Sequence, residues 1–253
     1  MKEDRWTLKK LHIGLRHQRT FMVSDIHGLM IDAVLALQGK GIFPSDAFTQ
    51  IARPDVLSVL LTGETLTLNL NVDGVILSAA VDEEHPATLE SLERMFATVV
   101  RGIATLTNAG DKINRIGIVH EFELSGFENS AKAIFAEHLK IDLKGIPDSI
   151  FIRLALKNPS SSALIDPAKK GDYVTVFLTI SSEREQEELE HIGAEEEEKV
   201  EKLPTLLKLT VDHQLCYVPP VSWKKARLDA HIATSEKYID QLKESRININ
   251  EMK

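Results

Sequence analysis

Residues 13–17 read Ile-Gly-Leu-Arg-His, and residues 116–120 read Ile-Gly-Ile-Val-His. One pattern, Ile-Gly-[Leu/Ile]-x-His, therefore occurs twice with a spacing of 103 residues, and what surrounds each copy decides the fold. Around the first copy, residues 8–17 alternate. Leu11, Ile13, Leu15 and His17 share one side, with Lys10, His12 and Arg16 opposite. A period of two is the signature of a half-buried strand. Around the second copy, residues 112–124 place Ile116, Ile118, His120 and Phe122 on one face, and Arg115, Glu121 and Glu123 on the other.

Working outward, each copy introduces the same series of elements. After the first, Ser24 or Asp25 caps a helix whose Ile26, Met30, Ala33, Val34 and Leu37 recur at helical spacing, ended by Gly39 and Gly41. Pro44 and Pro54 bracket a loop. Strands over 55–61, 65–72 and 75–81 form a meander with turns at Thr62-Gly63 and Asp73-Gly74. Pro86 at a first helical position opens a helix with Leu89, Leu92, Phe96, Val99, Val100 and Ile103 on one face. After the second copy come a helix over 127–139 and strands over 149–158, 172–181 and 205–218, the last broken by Pro219 and Pro220. Ser222 caps a final helix with Leu228, Ile232, Ile239 and Leu242 on one face. Each half reads β-α-β-β-β-α. The expectation is an α+β fold in which residues 1–110 and 111–253 are two repeats of one pseudo-two-fold domain. They form a long antiparallel sheet with helices packed on one face.

The 253 residues suffice to bury a core, and 43% apolar with 27% charged residues is ordinary for a globular chain. A single cysteine, Cys216, excludes an intramolecular disulfide and an all-cysteine metal site. The charged start MKEDRWTLKK has no apolar signal core, and no apolar run is long enough to span a bilayer, so the reading is a cytoplasmic protein with no membrane attachment. The net charge of −8 and a pI near 5.6 disfavour non-specific nucleic-acid binding. Much of that acidity lies in 183–201, within an insertion over about 183–203. It reads as a solvated excursion or as a decoy surface for a basic partner.

Ser24-Asp25-Ile26-His27-Gly28 admits two readings. Asp-x-His-Gly resembles the opening of the metal site in calcineurin-like phosphoesterases, which would make Asp25 and His27 metal ligands. The further ligands such a two-metal site needs are missing: no Asn-His and no His-x-His occurs, and Gly110-Asp111 through Gly117 only echoes the second block. The other reading is a helix cap, with the Asp25 carboxylate at the positive end of the helix dipole. His120-Glu121 lacks the second histidine of a zincin, and there is no P-loop, nucleophile elbow or dinucleotide fingerprint. No cofactor is expected. Arg16, His17, Arg115 and His120, with Glu121, are the candidate ligand-binding residues. Duplication would bring them to one central groove suited to an anion.

Residues 62–81, the helix after them, 113–124 and 206–219 together resemble a sporadically distributed family of uncharacterised bacterial proteins. In that family a helix precedes a strand of the type Arg-Ile-Gly-Leu-Arg-Tyr-Ile-Asn. Val119-His120-Glu121-Phe122 stands here in place of its Arg-Tyr-Ile-Asn portion. The resemblance carries no established activity, and the family's patchy occurrence implies a mobile-element or phage-defence setting. The doubled β-α-β-β-β-α order also resembles the saddle of TATA-box-binding-protein-like folds. The sequence therefore points to a non-enzymatic binding or regulatory module with a protein partner. Nucleic-acid or anionic-ligand binding through a concave sheet, and a phosphoesterase built on Asp25 and His27, are the alternatives.

Overall fold

The computed structural model describes residues 6–22, 27–40, 48–51, 59–62, 65–81, 88–106, 112–124, 150–157, 173–184 and 205–244. They form nine strands: β1 (Trp6–His17), β2 (Phe48–Ile51), β3 (Val59–Thr62), β4 (Leu66–Asn71), β5 (Gly74–Ala80), β6 (Ile113–Leu124), β7 (Ile150–Lys157), β8 (Tyr173–Arg184) and β9 (Thr205–Val221). Three helices accompany them: α1 (His27–Gly39), α2 (Leu89–Leu106) and α3 (Lys225–Glu244). All nine strands lie in one antiparallel sheet, ordered β2-β3-β4-β5-β1-β6-β9-β8-β7.

The two pentamers pair with each other at the middle of this sheet. Gly14 lies opposite Gly117, Ile13 opposite Ile118, and Leu15 opposite Ile116. To one side of this joint the order runs β1-β5-β4-β3; to the other it runs β6-β9-β8-β7. β2 is the strand left over.

The alternation in the sequence sets which face is buried. Leu11, Ile13, Leu15, Leu68, Leu70, Leu77, Ile116 and Ile118 are each 3% exposed or less. They meet Leu92, Phe96, Val99 and Val100 of α2, Met30 of α1, and Leu228 and Ile232 of α3 in one cluster. A second cluster, under the far end of α3, joins Phe122, Val176, Leu178, Leu209 and Val211 to Ile239 and Leu242. Every described helix thus packs on the same face. Trp6 tilts against Phe122 at 5.5 Å and Trp223 meets Phe96 edge-on at 6.3 Å, so both tryptophans are packing anchors.

Local details depart from the sequence reading. The segment between Pro44 and Pro54 contains β2, which pairs residue for residue with β3. The hairpin after β4 turns on Val72 and Asp73, and Gly74 is already in β5, opposite Asn71. The Asn71 Oδ1 accepts from the Asp73 amide at 2.9 Å, a side-chain turn that does not need the glycine. Gly74 answers a different need: a Cβ there would lie 2.4 Å from the Leu15 carbonyl oxygen. α2 begins at Leu89 and is capped by Thr88, and Pro86 lies outside the described residues. Thr88 Oγ1 accepts from the Ser91 amide at 3.1 Å, and Ser91 Oγ accepts from the Thr88 amide at 3.2 Å. Pro219 and Pro220 do not end β9, which runs on to Val221. The ladder to β6 shifts register between Arg115 and Ile113, and the prolines, lacking amide donors, occupy that irregularity. β8 extends through Glu183 and Arg184, opposite Leu206 and Thr205, so the first residues of the acidic run are strand. The helix expected over 127–139 and the rest of the acidic run lie outside the described residues.

Candidate binding face

The face opposite the helices carries the side chains that the alternation turned away from the core. Its centre is Gly14 beside Gly117, where no side chain stands. Ile76 leans over Gly14 from β5, and Asp212 and Gln214 flank Gly117 from β9.

Two polar networks run across the strands on either side of this glycine pair. In the first, His12 on β1 sits between Ser78 on β5 and Glu121 on β6. Its Nδ1 is 2.7 Å from Ser78 Oγ, and its Nε2 donates to Glu121 Oε1 at 3.0 Å. That hydrogen bond holds the Glu121 carboxyl below its ordinary range, against the opposing effect of half-burial. In the second network, Arg115 Nη1 donates to Gln214 Oε1 at 2.9 Å, and Gln214 Nε2 donates to Asp212. Burial pushes the Asp212 carboxyl up, partly offset by the bond from Gln214 and the charge of Arg115. Further out, burial also raises the Cys216 thiol, away from the thiolate that a nucleophile needs. Arg153 stacks over the Phe177 ring at 4.4 Å.

Of the residues singled out in the sequence, the structure brings Arg16 and Arg115 together. They are direct cross-strand partners on the face opposite the described helices. Glu121 shares that face, six positions further along β6, or about 20 Å at strand rise. His17 and His120 do not join them. Both lie on the helix-covered face, 4% and 6% exposed. They are also apart from each other: His17 stands opposite Ile113 and His120 opposite Leu11, seven positions along β6 and about 24 Å at strand rise. The common groove of two histidines and two arginines is thus divided by the sheet itself. The reason is the period of two: Arg16 and His17 are consecutive and Arg115 and His120 are five positions apart, odd separations that turn each pair to opposite faces.

His17 Nδ1 donates to the Gln18 carbonyl at 2.8 Å, while its buried Nε2 has no hydrogen-bond partner among the described residues. His120 belongs to a buried group the sequence did not assemble. His213 from β9 stacks on His231 from α3 at 4.8 Å and on Tyr238 at 5.8 Å. His231 Nε2 donates to the His213 carbonyl at 3.1 Å. Burial is the main cause that lowers His120, His213 and His231, each to about 4, so all three are neutral at pH 7. The pairing of β6 with β9 brings His120 near His213, and the docking of α3 adds His231; no spacing rule in the sequence announces either.

Asp25 and Asp111 lie outside the described residues, as does the His27 side chain. Among the described residues, no group of three or more His, Cys, Asp or Glu side chains is placed to hold a metal ion. No described helix is long and apolar enough to cross a membrane. No family model matches the chain, and no curated protein matches it.

Proposed function

We propose that this chain is a non-enzymatic binding module, built by internal duplication, that engages a protein partner through the uncovered face of its sheet. The observation that carries this reading is the state of the polar groups there. Ser78, His12 and Glu121, and Arg115, Gln214 and Asp212, are part-buried and held in fixed hydrogen-bonded geometry on a face that no described helix covers. A surface organised in advance loses less freedom on binding. The mixture favours protein over nucleic acid. Glu121, Glu123 and Asp212 alternate with Lys10, Arg16 and Arg115, which would repel a continuous phosphate backbone. Ile76, 45% exposed beside Gly14, adds apolar contact at the centre.

Duplication is supported by the shared strand order on either side of the β1–β6 joint and by Gly14 facing Gly117 there. One geometric feature favours a second reading, an anionic group on the ligand. Arg16 and Arg115 are directly opposed like charges, an arrangement that costs stability until an anion lies between them.

The test is affinity purification of the full chain from its own cells, after nuclease treatment, beside an Ile76→Arg variant. The variant places a long charge at the centre of the face and leaves the core intact. A stoichiometric protein partner captured by the parent and lost by the variant supports the proposal. A partner retained by the variant places binding elsewhere. Recovery of nucleic acid, with affinity that falls steeply with salt, would replace the protein reading.

A further inference from the structure

On the other side of the sheet, α1 and α2 stand apart over part of their length and leave a cleft of about 440 Å³. That volume lies within the roughly 300–1,000 Å³ common for small-molecule sites. Its floor and walls are apolar: Met30 and Leu37 from α1, Leu70 from β4, and Val99 and Leu106 from α2. Two threonines of α2 also line it, but Thr98 Oγ1 donates to the Arg94 carbonyl and Thr105 Oγ1 to the Arg101 carbonyl, each at 2.8 Å. Neither hydroxyl therefore has its proton left to donate to an anion. Among the described lining residues the charged ones are two exposed cations, Lys40 just beyond the end of α1 and Arg101 on α2, and none is a carboxylate.

One residue keeps the cleft open. Gly102 lies within α2, where glycine costs up to about 1 kcal/mol relative to alanine. A Cβ built there meets nothing within 4 Å. The absence of a side chain at 102 therefore serves no close backbone approach; it leaves space.

We infer that this cleft binds an amphipathic anion, an apolar chain that ends in a single carboxylate or phosphate, with the chain between α1 and α2 and the head group at Lys40 and Arg101. The apolar lining recognises the chain by area and not by shape, and the cation pair selects the sign of the head. The site is independent of the binding face, from which the sheet separates it.

The experiment is isothermal titration of the full chain with octanoate, decanoate and dodecanoate below their micelle concentrations, then with dodecyl phosphate and dodecanol. Saturable one-to-one binding is expected, tightening about fourfold per added methylene. Dodecanol should bind about tenfold more weakly than dodecanoate, because it lacks the charge-assisted bonds. Whichever of dodecanoate and dodecyl phosphate binds more tightly identifies the head group. Gly102→Leu fills the cleft while replacing a glycine inside a helix, so it should abolish binding without lowering the urea midpoint. A Lys40→Met, Arg101→Met double variant should lose the preference for dodecanoate over dodecanol and keep the chain-length dependence. Undiminished binding to Gly102→Leu, or equal binding of dodecanol and dodecanoate to the parent chain, would overturn the inference.

Discussion

Acid should loosen this protein well above the pH at which its carboxylates titrate, and the buried histidines set how far. His120, His213 and His231 each fall from 6.5 to about 4 in the folded chain, chiefly because burial penalises the charged ring. Unfolding returns them to the ordinary value, so between these limits the unfolded chain holds three protons that the folded chain does not. The sign follows: stability is full above pH 6.5 and is lost as the pH falls toward 4. Between pH 7 and pH 5 each histidine contributes a loss of about 2 kcal/mol, and the three together about 5 kcal/mol. That is a large share of the ~5–15 kcal/mol that holds a typical domain together. Asp212 works against this trend, since burial raises its affinity for a proton in the folded state. Glu121 is lowered and gives up its contribution only as the pH falls below its ordinary value of 4.5, at the acid end of the histidine window.

The assay is urea unfolding followed by tryptophan fluorescence at pH 7, 6 and 5, on the parent chain and on His213→Phe. Phenylalanine keeps the stacking against His231 and Tyr238 and removes one titrating group and its field on the other two. The pH-dependent loss should shrink to about 4 kcal/mol or less in the variant. A stability that is flat from pH 7 to 5 in the parent, or an identical slope in the variant, would refute the reasoning.

Three further outcomes follow from packing and capping. Phe96 is fully buried against Trp223, and Phe96→Ala should cost about 3–5 kcal/mol by urea titration and shift the tryptophan emission. Gly74→Ala forces a Cβ to 2.4 Å from the Leu15 carbonyl and should cost about 1–3 kcal/mol, whereas Gly14→Ala, whose Cβ finds its nearest atom at 3.6 Å, should cost less than about 1 kcal/mol; equal midpoints for the two would contradict the geometry. Thr88→Ala removes one half of the reciprocal cap of α2 and should lower the thermal midpoint by an amount equivalent to about 1 kcal/mol.

Much of the sheet could be read in the chain because its strands alternate so regularly. Leu11-His12-Ile13-Gly14-Leu15 has a single register that buries its apolar set, and the same holds for Ile116 through Phe122. The long helices were legible for the same reason. β2 was not: four residues at the margin of the sheet, Phe48–Ile51, carry too short a pattern to separate from loop. The extension of β9 through two prolines was hidden because the exception depends on a register shift against β6, a property of the pair and not of either strand. For the candidate site, alternation already set His17 and His120 apart from Arg16 and Arg115. Duplication does bring the two pentamers together, but a sheet turns residues at odd separations to opposite sides, so no common groove forms. His12 was visible on the uncovered side, but its partners Ser78 and Glu121 come from strands 66 and 109 positions away, and only the strand order unites them.

The β1–β6 joint also has a bearing on how the chain is made. Its two strands are neighbours in space and about a hundred residues apart in synthesis. From the moment β5 emerges, β1 has a partner on one side only, and the other side stays a bare edge until β6 follows. At ribosomal speeds of ~5–20 residues per second, that interval lasts seconds. During it, the first half displays unpaired amides and carbonyls along the very strand that repeats its own pentamer, a template open to the first half of a neighbouring nascent chain as well as to β6. Polysome-bound chains of this protein are thus the place where mispairing would begin, and a chaperone that shields strand edges would act on the first half.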